Sequence, residues 1–216
     1  MRFHSLYTTF AKMNKELQQY IETEILPRYD HFDKAHRRTH ADLVIRQSME
    51  LAERLGVDED MAYTIAAYHD TGLCEGRDKH HIVSACILRT DQHLREWFNE
   101  EQIEIMADAV EDHRASANRP PRTIYGRIVA EADRYIDAED IIRRTIQFGI
   151  DHYPTLSRQE HYLRMVEHLR EKYGREGYLR LWFPESPNMA RLEELRKIID
   201  NEPQLKLWFE RLWNNV

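Results

Sequence analysis

The chain has 216 residues, 42% of them hydrophobic and 32% charged, enough for one sizeable core. A net charge of −7 disfavours a general nucleic-acid binder, which would carry a basic face, and no apolar run approaches the roughly 20 residues needed to span a bilayer. Only 7 glycines and 7 prolines argue against a turn-rich all-β fold. The first residues lack the apolar stretch of a secretory signal, and the cysteines, Cys74 and Cys86, are too few for a disulfide framework, so a cytoplasmic location is the expectation.

Taken in order, the pattern is helix after helix. A first helix is expected over roughly Tyr7–Leu26, stopped by Pro27. A second spans about Lys34–Leu55, with Val44, Ile45, Leu51 and Ala52 on its apolar side and Gly56 placed for a left-handed C-cap. Asp58 is the expected N-cap of a third, which carries Met61, Ile65 and Ala66 and ends at His69, with Gly72 marking the turn. Cys74–Lys79 reads as a charged loop, His80–Leu94 as a fourth helix and Glu100–His113 as a fifth, with Ile103, Met106, Ala107 and Val110 at helical spacing. After the loop around Pro120-Pro121, one long helix is expected over Ile124–Phe148. Ser157 to Glu160 forms a capping box for another helix ending near Gly174, and two more over about Met189–Asp200 and Pro203–Trp213 close the chain. No repeat or long linker interrupts this series. The reading is an all-α, single-domain helical bundle over 1–216, with a core over about 30–150 and a helical extension over about 151–216.

Twelve histidines is a high count, and several fall where an apolar pattern predicts burial. His40 stands one turn before Val44, with His36 one turn earlier. His69 and Asp70 end the third helix, His80 and His81 begin the fourth, and His113 follows Val110. Asp133 lies four residues after Val129, and Asp137 one turn later. Imidazole and carboxylate suit divalent metals. Singly, each has an ordinary alternative: a solvated helix start for His80 and His81, a helix C-terminal cation for His113, a salt-bridged helical acid for Asp133.

Together, the series His40 … His69-Asp70 … Asp133 resembles the H…HD…D signature of the HD superfamily of metal-dependent phosphohydrolases. "DKAHRRTHADLV" looks like that family's first-ligand helix, "AAYHDTGL" like its central turn, and "GRIVAEADRYIDA" like its final ADR-apolar-D helix. "EDHR" resembles the histidine often found between them. The resemblance covers about residues 30–140 and implies an HD-type helical bundle in which His40, His69, Asp70 and Asp133 ligate one divalent ion. Such an N/O set suits Mn, Fe, Co, Mg or Ni rather than a closed structural zinc.

Some HD proteins hold two ions. Here His80, His81, His113 and Asp137 are the candidates for a second ion's ligands or for catalytic and proton-handling groups, with Asp70 as bridge. The connection from Asp70 to His80 is short. The acid that closely follows HD in nucleotidase-like members is missing, since the next acid after Asp70 is Glu75. Arg77, Lys79 and Arg114, close in sequence to these residues, are the candidate phosphate-binding cations, with Arg119 and Arg122 on the same loop as Arg114.

The implied activity is hydrolysis of a small phosphate ester, such as a nucleotide, by attack of metal-bound water. The alternatives are a binuclear-iron oxygenase of the HD type, or a non-catalytic metal- or nucleotide-binding regulatory domain. The aromatic tail, with Tyr178, Trp182, Phe183, Trp208, Phe209 and Trp213, would suit a partner or a homodimer interface. Its other reading is packing against the first helix.

Overall fold

The computed structural model describes residues 13–32, 38–115, 119–184 and 186–215. Among them are ten α-helices and no strand, so the all-α class holds. The chain divides into two compact units, Met1–Asp133 and Arg134–Val216. This boundary falls well before residue 150, where the sequence pattern puts the end of the core.

In the first unit, α1 (Lys15–Tyr20) is capped by the Asn14 side chain, which accepts from the Glu16 and Leu17 amides. It runs into a π-helical turn, Ile21–Ile25, and a 3-10 segment, Leu26–His31. Pro27 sits in the first turn of that segment, where no amide is required, so it reshapes the helical path without stopping it. The expected start at Tyr7 lies outside the described residues.

Four helices follow near the expected ones, and the expected start of the first of these at Lys34 lies outside the described residues. The second, α2 (Arg38–Leu55), buries Ala41, Val44, Ile45, Ser48, Met49 and Ala52 at three- and four-residue spacing, and Gly56 then takes φ +64. The third, α3 (Glu59–Tyr68), is capped by Asp58, whose side chain accepts from the Met61 amide. Every residue from Met61 to Tyr68 is buried, so α3 is the central helix of the unit. Next, α4 (His80–Thr90) stops short of Leu94 because Asp91 caps a separate 3-10 turn, Gln92–Glu96. A capping box between Asn99 and Gln102 opens α5 (Glu100–Asp112).

The long helix expected over Ile124–Phe148 is two helices, α6 (Ile124–Asp133) and α7 (Ala138–His152). Asp137 accounts for the second start, because its carboxylate accepts from the Asp140 amide as N-cap. The apolar pattern runs through the break, which hides it in the sequence. The break leaves Asp133 as the final residue of α6. Around α3, α2 packs against α3 and α6, and α5 against α3, α4 and α6.

The second unit holds α7, α8 (Arg158–Tyr173), α9 (Pro187–Asp200) and α10 (Glu202–Trp213). Ser157 and Glu160 form the expected capping box of α8. Ile142, Ile146, Met165, Leu169, Leu195, Ile199 and Phe209 are buried here. Of the aromatic tail, Phe209 packs edge-on to Tyr162 at 5.3 Å and lies 5.2 Å from Trp213. No described helix is long and apolar enough to cross a membrane.

Candidate metal centre

The end of α3 explains how two adjacent residues reach one site. The last carbonyls of a helix lack intrahelical donors, and here three consecutive ones are taken by side chains. The His69 ring Nδ1 donates to the Ala66 carbonyl at 2.7 Å, the Tyr29 hydroxyl to Ala67 at 2.9 Å and the Thr71 hydroxyl to Tyr68 at 2.8 Å. Asp70 leaves the helical conformation, with φ −111 and ψ 6, so its carboxylate is no longer about 100° around the helix from His69.

Gly72 brings the next element in. A Cβ there would lie 2.2 Å from the His80 carbonyl oxygen and 2.5 Å from the Ser84 amide nitrogen. Only a glycine permits this approach of the turn to the start of α4, and the Gly72 amide donates to Ser84 Oγ at 2.8 Å. His80 is thereby held beside Asp70.

Six side chains converge, from α2, the ends of α3, α5 and α6, and the start of α4. His40, His69 and Asp133 form one group, and Asp70, His80 and His113 another, each with ligand-capable atoms within 4.8 Å of one another. In the first, His40 Nε2 is 3.1 Å from Asp133 Oδ1 and 3.3 Å from His69 Nε2. Asp70 joins the two groups. Its Oδ2 lies 3.3 Å from His69 Nε2 and 3.7 Å from His40 Nε2, while its Oδ1 lies 3.4 Å from His80 Nε2 and 3.5 Å from His113 Nε2.

The ring orientations test whether a cation fits. His69, His80 and His113 each donate from Nδ1 to a backbone carbonyl, those of Ala66, Arg77 and Val110, at 2.7, 2.7 and 2.6 Å. That bond leaves the Nε2 lone pair of each neutral ring facing the cluster. His80 and His113 then oppose Nε2 to Nε2 at 3.2 Å, an arrangement of two lone pairs that a cation between them stabilises. These His and Asp groups are positioned to hold a divalent metal ion. The side chains of His69, His113 and Asp70 are 0%, 2% and 5% exposed, against 25% for Asp133, 20% for His40 and 15% for His80, so the cluster meets solvent at Asp133, His40 and His80.

The electrostatics agree with an ionised carboxylate pair. Burial pushes the Asp70 carboxyl up, but positive charge and hydrogen bonds from His69 and His113, which a cation bound by the neutral rings would replace, outweigh it and hold it well below its ordinary range. Burial likewise opposes ionisation of Asp133, and the hydrogen bond from His40 with the nearby His69 reverses it to a low value. Burial, with the Asp70 charge adding to it, raises the Tyr29 phenol well above its ordinary range, so its hydroxyl remains a donor.

The remaining sequence candidates stand elsewhere. His81 lies in neither ligand group, its ring 5.5 Å from that of His80. Asp137 is likewise in neither group, and caps α7 in the second unit. Arg114 donates to the Asp78 carbonyl at 2.6 Å, tying the end of α5 to the exposed turn that carries Arg77 and Lys79. Arg119 and Arg122 are engaged by Glu111 and Asp112. His36 lies outside the described residues. Tyr29 carries no signal in the sequence that ties it to the site, since it falls between the first two expected helices, where nothing sets a tyrosine apart.

The family model for the HD domain matches residues 37–137, a span that contains all six converging side chains. That segment is an HD domain and belongs to the HD superfamily, whose members are mostly metal-dependent hydrolases. Neither a curated protein nor a solved structure matches the chain significantly.

Proposed function

We propose that the protein is a metal-dependent phosphohydrolase acting on a small phosphate ester, such as a nucleotide, at a centre with two ion positions sharing Asp70. The observation that carries this is the division of the Asp70 carboxylate, one oxygen toward His40 and His69 and the other toward His80 and His113. His40, His69, Asp70 and Asp133 would hold one ion, and Asp70, His80 and His113 a second. With nitrogen and carboxylate donors together, Mn, Fe, Co, Mg or Ni are the candidate metals. Bound there, a divalent ion supplies an acidified water nucleophile and polarises a phosphoryl oxygen.

The chain's own residues do the rest. The carbonyls of Ala66, Arg77 and Val110 lock three rings in the tautomer that presents Nε2. The less buried edge at Asp133 and His40 admits substrate. Arg77 and Lys79, on the exposed turn before α4, would offer cations to the phosphate. Arg114 would steady that turn through Asp78 while its charge adds to the field. His113 would serve through Nε2, with its Nδ1 bonded to the Val110 carbonyl, while Asp137 caps α7 through Oδ1.

The test is elemental analysis of purified protein followed by a phosphate-release screen across nucleotides and sugar phosphates. Release that requires the metal supports the reading, and a metal-loaded protein that releases no phosphate from any of them overturns it. The same shared carboxylate favours one other reading, a binuclear-iron oxygenase. Anaerobic reconstitution with iron, followed by the ultraviolet–visible spectrum on admitting oxygen, separates the two.

A further inference from the structure

We propose that Tyr29 is a positioning residue for the metal centre, supplied by the N-terminal segment outside the HD domain, and that it sets where the Asp70 carboxylate stands. This rests on the reading of the His and Asp groups as ion ligands. Tyr29 belongs to the 3-10 segment Leu26–His31 and precedes the matched span 37–137. Its side chain is fully buried. Its hydroxyl donates to the Ala67 carbonyl at 2.9 Å and accepts from the Asp70 amide at 3.2 Å.

Both bonds fall at the point where α3 ends. In a continuing helix the Asp70 amide would donate to Ala66, four residues back, but the His69 ring occupies that carbonyl. The phenol oxygen gives the buried amide another acceptor. It thereby sustains the departure of Asp70 from helical geometry, which places one carboxylate oxygen toward each histidine pair. Without that hydroxyl, a buried donor and a buried acceptor lose their partner together, and the turn must rearrange to satisfy them. The ring itself is held edge-on to Phe32 at 5.4 Å, and lies 6.2 Å from the ring of His69. Groups that orient metal ligands typically change ion affinity about 10–100-fold when removed, and Tyr29 acts here on a residue that both ion positions share.

The experiment compares wild type, Tyr29→Phe and Phe32→Leu, each stripped with chelator and titrated with Mn2+ by calorimetry. Circular dichroism and thermal unfolding of the metal-free proteins are recorded alongside. Tyr29→Phe keeps the ring and removes one oxygen, so its helical signal is expected to stay at the wild-type level while Mn2+ affinity falls about tenfold or more. Phe32→Leu loosens the packing but keeps the hydroxyl, so its unfolding temperature falls while Mn2+ affinity holds. Wild-type affinity in Tyr29→Phe overturns the proposal, and so does an equal loss in Phe32→Leu, which would assign the effect to packing. Wild-type protein that takes up no Mn2+ overturns instead the reading of the centre on which the role of Tyr29 depends.

Discussion

Asp70 has one carboxylate and two sets of neighbours, and this makes it the most consequential residue of the chain. His40 and His69 face Oδ2 while His80 and His113 face Oδ1. Replacing Asp70 with alanine removes the carboxylate that faces both histidine pairs and leaves four converging imidazoles with one carboxylate. The expected outcome is loss of bound metal together with activity, read by elemental analysis of purified protein. Retained stoichiometric metal would contradict the shared role. Gly72 is nearly as exacting. A methyl group there collides with the backbone of His80 and Ser84 rather than with a movable side chain. Gly72→Ala is expected to cost about 1–3 kcal/mol by overpacking. It should also disturb the Asp70–His80–His113 group more than the other, so on the proposed two-ion reading metal content would fall from two ions per chain toward one.

At the scale of elements, the start of the Gln92–Glu96 turn is fastened to two helices through Asp91. Its Oδ2 accepts from the Tyr20 and Tyr68 hydroxyls, each at 2.6 Å, and Oδ1 from the His93 amide at 3.0 Å. Burial raises the Asp91 carboxyl, but these donors outweigh it and hold its pKa below the ordinary carboxylate value. A group depressed in the folded state adds stability that is fully present above its unfolded pKa, about 3.9. That stability is lost as pH falls through the folded value. Denaturant unfolding of wild type and Asp91→Asn between pH 7 and pH 3 should therefore show the wild-type advantage shrinking below about pH 4. An advantage independent of pH would assign the bonds no ionic component.

For the whole molecule, all six candidate ligands belong to the unit Met1–Asp133, and none to Arg134–Val216. They come from five helices whose approach the buried core of that unit enforces, so any ion these groups hold would be linked to folding of the unit. An ion that binds only the folded chain stabilises it by about 2.7 kcal/mol at 100 times its Kd. Calorimetric scans with increasing Mn2+ should show a rising unfolding temperature that excess chelator returns to its starting value. A melting curve unmoved by Mn2+ would mean that the converging groups hold no ion.

What the sequence determined by itself was the part written in local pattern. Helical spacing, N-caps at Asp58 and Ser157 and the left-handed Gly56 set the all-α class and most helix limits, because these depend on residues three or four apart. The order His40, His69-Asp70, Asp133 pointed to the metal centre through its resemblance to the HD signature, because residue type alone leaves 12 histidines and 38 acids as candidates. The tertiary structure decided the rest. The break at 134–137 interrupts a continuous apolar pattern, and only packing and the Asp137 cap disclose it. Whether His80 or His81 turns inward depends on a contact across Gly72 between segments that the sequence records as a short charged loop. Tyr29, 41 residues before Asp70 in the chain, meets its amide only once α3 and the N-terminal segment pack together. Local free energies fix helices, whereas the placement of a ligand to within a fraction of an ångström is set by distant groups competing for the same buried carbonyls and amides.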